Sequence, residues 1–192
     1  MAKVIVETSA RHVHLTREAL EVLFGAGAVL HEKKRLSQPT EFTTEERVTV
    51  VGPKKELPNV MVLGPNRSAV QVEVSMTDAR SLGITPVIRE SGDVAGTPGC
   101  KLIGPAGELE INEGVIVAKR HVHMTPKFAE ENGFTNGQII ALKVESAGRK
   151  AILGDLVCRI RDTFAEAAHI DTDEANAISA TPDLTGELIN FE

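Results

Sequence analysis

The sequence predicts a mainly β protein with short helices, built as two small antiparallel β-barrel domains related by an internal repeat. Three observations carry that expectation. The stretch Arg11-His12-Val13-His14-Leu15-Thr16 returns as Arg120-His121-Val122-His123-Met124-Thr125, an offset of 109 residues. Short β-rich runs recur at Val48 to Val51, Val60 to Leu63, Val70 to Val74, Val87 to Arg89, Lys101 to Ile103, Ile139 to Val144 and Leu156 to Ile160. Turn signals part them, among them Gly52-Pro53, Gly64-Pro65 and Gly104-Pro105. Long crossover helices are missing from the pattern, which favours small barrels over an α/β sheet.

Taken in order, Val4-Ile5-Val6 reads as a buried strand that runs into the first histidine pair. Thr16 then caps a short helix from Arg17 to Phe24, with Ala19, Leu20, Leu23 and Phe24 as its apolar stripe and Gly25 as its stop. The second copy repeats the plan. Val115-Ile116-Val117 leads into His121 and His123, Thr125 is the cap, Pro126 takes the first helical position and Gly133 ends the helix. Two related halves explain this ordered match better than chance. A polar insertion, read as a solvated loop or hairpin, occupies about residues 26–46 and includes His31-Glu32-Lys33-Lys34-Arg35 and Ser37-Gln38-Pro39.

The totals exclude several function classes. A chain of 192 residues suits one or two small domains with a real core. A net charge of −6, with no Trp or Tyr and only six Phe, argues against a nucleic-acid surface and leaves only local positive patches for a phosphorylated ligand. No apolar run approaches the roughly 18 residues of a membrane span, and the first residues carry no signal-peptide pattern, so the cytoplasm is the expected compartment. Cys100 and Cys158 form no CxxC and read as two free thiols.

On an extended strand, His12 and His14 project from one face and Val13 from the other, and likewise His121, His123 and Val122. Two imidazoles on a rigid strand make half of a metal site of the kind that suits Zn, Cu, Fe or Ni. Each pair must recruit at least one further ligand from elsewhere in the chain. His169 is a candidate, with Asp171 on the same strand face as an orienting partner. His31, in the charged insertion, reads as solvent-exposed. Val70 to Ser75 alternates strictly, so Gln71, Glu73 and Ser75 share a face that is either wet or functional. Arg67, in a Gly-Pro turn, either holds phosphate through its planar donor fork or is simply solvated. Residues 91–99, rich in glycine, either bring backbone to a ligand or only turn the chain.

The ordered set Ser9 to Leu15, Leu36-Ser37-Gln38-Pro39, Gly64-Pro65-Asn66-Arg67, Gln71 to Ser75, Ser91-Gly92-Asp93, Gly96-Thr97-Pro98-Gly99, Arg120 to Thr125 and His169 to Ala177 resembles the phosphate propanoyltransferase family, the PduL-type phosphotransacylases. The resemblance covers nearly the whole chain. It implies the reversible conversion of a short-chain acyl-CoA and inorganic phosphate to acyl phosphate and free CoA, at a dinuclear zinc site with two ions per chain. On this resemblance His12, His14 and Glu73 hold one zinc, and His121, His123 and His169 hold the other. Arg67 contacts phosphate, while Gln38, Glu41, Gln71, Ser91 and Arg159 line the site. The implied fold joins the N-terminal strand to the C-terminal barrel, giving one domain of residues 11–118 and a second of 1–10 plus 119–192, in a chain that forms a homodimer. Some members carry an N-terminal extension that directs them into a bacterial microcompartment. This chain starts almost at its first strand, so the cytoplasm remains the expectation, with acetyl-CoA as plausible a substrate as propanoyl-CoA. Direct acyl transfer without a side-chain nucleophile is the leading mechanism. The competing readings are a two-metal hydrolase of a thioester or phosphoester and a metal-binding β protein without turnover.

Overall fold

The computed structural model describes residues 2–190. Its strands are, in chain order, β1 (Ala2–Ser9), β2 (His12–His14), β3 (Glu32–Arg35), β4 (Phe42–Val51), β5 (Glu56–Gly64), β6 (Gln71–Glu73), β7 (Ile88–Arg89), β8 (Cys100–Ile103), β9 (Glu108–Ile111), β10 (Val115–Ala118), β11 (His121–Met124), β12 (Ile139–Val144), β13 (Ala151–Ile160), β14 (Ala167–Asp171) and β15 (Thr185–Ile189). Four short helices join them: α1 (Arg17–Phe24), α2 (Met76–Leu82), α3 (Pro126–Asn132) and α4 (Thr172–Ala177). None of these helices is long and apolar enough to cross a membrane.

Each helix begins where a short polar side chain takes over an orphan backbone donor. Thr16 accepts from the Ala19 amide at 3.1 Å, Ser75 from the Asp78 amide at 3.2 Å and Thr125 from the Phe128 amide at 3.3 Å. Asp171 and Glu174 form a full capping box. Gly133 ends α3 with a left-handed φ of 71°, a conformation that glycine adopts without steric cost. The expected bounds of α1, and the Thr125 and Gly133 ends of α3, match the structure residue for residue.

The described residues fall into two compact units. The barrel unit comprises those within Met1–Ser9, Ser37–Pro39 and Lys119–Glu192, and the open-sheet unit those within Ala10–Leu36 and Thr40–Ala118. In the barrel unit six strands close in the order β1-β14-β11-β13-β12-β15 around Val4, Val6, Val122, Met124, Ile140, Leu142, Leu156, Ile170 and Ile178. In the open-sheet unit the order is β7-β10-β6-β2-β5-β4-β8-β9, with β3 on β4, and Val13, Leu15, Leu20, Val48, Val60, Val72 and Val74 fill the core. Only the first of these sheets closes. The outer strands of the second, β7 and β9, are two and four residues long.

Both sheets are mixed rather than purely antiparallel, and consecutive strands divide between them in a reciprocal exchange. β1 leads into β2 yet lies in the barrel, parallel to β14. β10 leads into β11 yet lies in the open sheet, parallel to β6. The repeat therefore extends to its pairings: β2 runs antiparallel to β6 and parallel to β5, as β11 runs antiparallel to β14 and parallel to β13.

Candidate metal centres

The valine of each His-Val-His stretch is fully buried in its core, so the flanking imidazoles leave the opposite face of the strand together. The antiparallel neighbour supplies the third group at the same register in both units. Glu73 stands opposite His12, and His169 stands opposite His121. The ligand atoms of each trio lie within 4.8 Å of one another.

One ring nitrogen of the first histidine is committed to the backbone in each copy. His12 Nδ1 donates to the Ala10 carbonyl at 2.8 Å, and His121 Nδ1 donates to the Lys119 carbonyl at 2.9 Å. That bond fixes the tautomer of the neutral ring and leaves Nε2 as a bare lone pair aimed inward. In the open-sheet unit His12 Nε2 lies 3.1 Å from His14 Nε2 and 3.5 Å from Glu73 Oε2, and His14 Nε2 lies 3.8 Å from Glu73 Oε1. A tetrahedral zinc with arms of roughly 2.0–2.1 Å has ligand-to-ligand edges of roughly 3.3 Å, so these separations fit such an ion. His123 Nδ1 is buried without a hydrogen-bond partner among the described residues.

The electrostatics suit a cation. Burial together with the neighbouring His12 and Arg67 pushes the His14 pKa down to about 2, and burial together with His121, His169, Arg159 and Arg161 does the same to His123. Both rings are neutral near pH 7, as ligation requires. Burial alone would raise the pKa of Glu73, yet His12, His14 and Arg67 hold it well below the usual carboxylate range. Burial alone would lower the pKa of His12, but the Glu73 carboxylate outweighs that and raises it.

Gln71 and Glu73 are only 2% and 8% exposed, so the face they share is not wet. Glu73 Oε1 accepts from Gln71 Nε2 at 2.6 Å and from Ser91 Oγ at 2.9 Å, while Oε2 is the oxygen nearer His12. Arg67 donates to Ser91 Oγ at 2.9 Å and to Glu41 Oε1 at 2.8 Å. The Gly92 amide donates to Gln71 Oε1 at 2.7 Å, so the glycine-rich loop does bring backbone to this network. Glu41, Arg67, Gln71, Glu73 and Ser91 thus form one hydrogen-bonded chain next to His12 and His14.

The remaining candidates lie in the barrel unit. Gln38 donates to the Ala165 carbonyl at 3.1 Å and sits 3.4 Å from His169 Nε2. Arg159 stands opposite His123 in the parallel pairing of β11 with β13. Asp171 Oδ1 accepts from the Glu174 amide at 2.8 Å and so caps α4. The acid beside His169 is Glu7, with Oε2 at 3.7 Å from Nδ1, brought there by the β1–β14 register. His31 is exposed, with its Nδ1 at 2.6 Å from Glu46.

Two further residues had a readable signal, the arginine that opens each copy of the repeat. Arg11 reaches Asp78 at 3.1 Å, and Arg120 reaches Glu174 at 2.6 Å. Each acid is the third residue of the helix that follows the third-ligand strand, with its cap, Ser75 or Asp171, two residues past Glu73 or His169. The same scaffold ties strand to helix in both units.

The paired trios on duplicated β strands, built from imidazole and carboxylate rather than thiolate, make this a β protein with two candidate metal sites. A family model described as phosphate propanoyltransferase matches residues 5–181. The phosphate propanoyltransferases of Thermotoga maritima and Enterococcus faecalis are each 50% identical to the chain, over 97% and 96% of its length and 87% of theirs, and that of Listeria monocytogenes is 46% identical over 96% of the chain and 86% of its own. The chain belongs to the phosphate propanoyltransferase family, a family of acyltransferases.

Proposed function

We propose that this chain transfers a short acyl group, propanoyl or acetyl, between coenzyme A and inorganic phosphate. Two zinc ions serve it, one held by His12, His14 and Glu73 and the other by His121, His123 and His169. The single observation that carries this reading is the pair of trios at matching register in a chain of this family. Bound zinc supplies Lewis acidity toward a thioester carbonyl or a leaving thiolate, and charge to hold a phosphate oxygen.

The side chains carry the rest. Arg67 is held by Glu41 and Ser91, with its other N–H groups left for the phosphate nucleophile. A phosphate oxygen bonds to the acyl carbon, the carbon–sulfur bond breaks, and the proton released from phosphate ends on the CoA thiol. Gln71 and Ser91 keep the Glu73 carboxylate in one orientation, and Glu7 and Gln38 flank His169. Neither cysteine suits an acyl-enzyme. Both are buried, and burial pushes the Cys100 thiol up to about 12 and the Cys158 thiol up to about 11. Transfer is therefore direct and the kinetics sequential. We further propose a cytoplasmic homodimer.

The test is a coupled assay of acetyl-, propanoyl- and butanoyl-CoA with phosphate. Release of CoA that requires phosphate and yields acyl phosphate is expected. Release that proceeds without phosphate would instead mark a hydrolase, and an acyl group trapped on Cys100 or Cys158 would overturn direct transfer.

A further inference from the structure

The repeat places a second arginine where the first unit has Arg67. The chain leaving β5 delivers the Arg67 amide to the Leu15 carbonyl at 2.9 Å, and the chain leaving β13 delivers the Arg161 amide to the Met124 carbonyl at 3.2 Å. Leu15 and Met124 are equivalent, each directly following the second histidine of its pair. β5 and β13 are equivalent too, as the parallel neighbours of β2 and β11. Arg161 is thus the positional counterpart of Arg67, reached straight from the strand end rather than after Pro65 and Asn66.

The surroundings of Arg161 differ from those of Arg67 in a telling way. The Arg67 guanidinium is tied to Glu41, whereas none of the ion pairs among the described residues involves Arg161, which is exposed. Its guanidinium lies 5.4 Å from the centre of the Phe164 ring, and that ring stacks on His123 at 4.0 Å with an interplanar angle of 21°. A cation on an aromatic face is held in place while its in-plane N–H groups stay available to an acceptor. Arg159, near the end of β13, adds a second positive charge near His123. In a chain of net charge −6, a polyanionic substrate needs such a local seat.

We propose that Arg161, on its Phe164 platform, binds a phosphate group of a substrate beside the His121-His123-His169 centre. The inference rests on the acyltransferase reading, whose substrates offer two sources of that group: the phosphates of coenzyme A and inorganic phosphate.

Steady-state kinetics of full-length wild type, Arg161→Ala, Arg161→Lys and Phe164→Leu, with acetyl-CoA and with the phosphate-free thioester acetyl-pantetheine, test it. If Arg161 serves the phosphates of coenzyme A, Arg161→Ala raises the KM for acetyl-CoA about tenfold and leaves the KM for acetyl-pantetheine unchanged. If it serves inorganic phosphate, the KM for phosphate rises with either thioester. Arg161→Lys, which keeps charge but loses the planar fork, and Phe164→Leu, which removes the platform, shift the same KM by smaller factors. Unchanged KM values for all three substrates, or an equal loss of kcat with both thioesters and no change in any KM, would overturn the proposal. Absence of wild-type turnover would count against the acyltransferase reading itself, so the two failures are distinguishable.

Discussion

The His12-His14-Glu73 trio and the His121-His123-His169 trio share their backbone devices and differ in one ligand. Each is seeded by His-X-His on a short strand with its valine in the core, and each commits the first Nδ1 to the carbonyl two residues back. Each takes its third ligand from the residue directly opposite on the antiparallel neighbour, and each locks that neighbour's helix to the opening arginine. What differs is chemistry. A divalent ion held by two imidazoles and a carboxylate keeps a formal charge of about +1, against about +2 for three imidazoles. The repeat has copied a scaffold and left its contents free to diverge, so metal ions bound at the two proposed centres would differ in Lewis acidity.

The largest effect is expected on removing a seed histidine from either copy. His12→Ala and His121→Ala should each lower kcat by more than about a hundredfold in the acyl-CoA assay, since ligands matter at least as much as the groups that orient them. A large loss from one copy alone would mean that the centres are not both needed. Glu73→His makes the two trios alike and sharpens the contrast. It deprives Gln71 and Ser91 of their shared acceptor, so zinc should stay bound while kcat falls by about tenfold to a hundredfold. An unimpaired Glu73→His enzyme would show that the carboxylate carries no special role.

How much of this was legible in the sequence depends on how local each feature is. The histidine pairs, the Thr16 and Thr125 caps and the glycines that end α1 and α3 are written in consecutive residues, and the structure repeats them. The alternation from Val70 to Ser75 correctly assigned the faces, but whether the polar face was wet depended on the 91–99 loop, some twenty residues away. Glu7 escaped for the same reason, and Gln38 was reached only through the family resemblance. Only the parallel pairing of β1 with β14 brings Glu7 to His169, and residues 37–39 group with a unit whose bulk begins at Lys119. The capping role of Asp171 had a local signal of its own, an acid with Glu three residues on.

Smaller effects probe the arginine ties. The Arg120–Glu174 side chains are 29% and 18% exposed, against 42% and 10% for Arg11–Asp78. Arg120→Met should therefore destabilise the fold by about 1–3 kcal/mol and Arg11→Met by about 1 kcal/mol or less, read from denaturant midpoints. The reverse order would contradict the ranking by burial. The smallest effect concerns the thiols. With the Cys158 thiol at about 11, roughly one molecule in a thousand carries its thiolate at pH 8, and Cys100 fewer still, so alkylation of the native chain should be negligible there. Labelling should rise with pH toward those values and become rapid at pH 8 only on unfolding.

On the proposed reading the two unequal trios each hold one zinc ion. Metal analysis of the purified chain, beside the His12→Ala/His14→Ala and His121→Ala/His123→Ala double variants, tests it most directly. Two zinc ions per chain in the wild type and one in each double variant are the expected counts. A single ion in the wild type, or a zinc content unaltered by either double substitution, would contradict it.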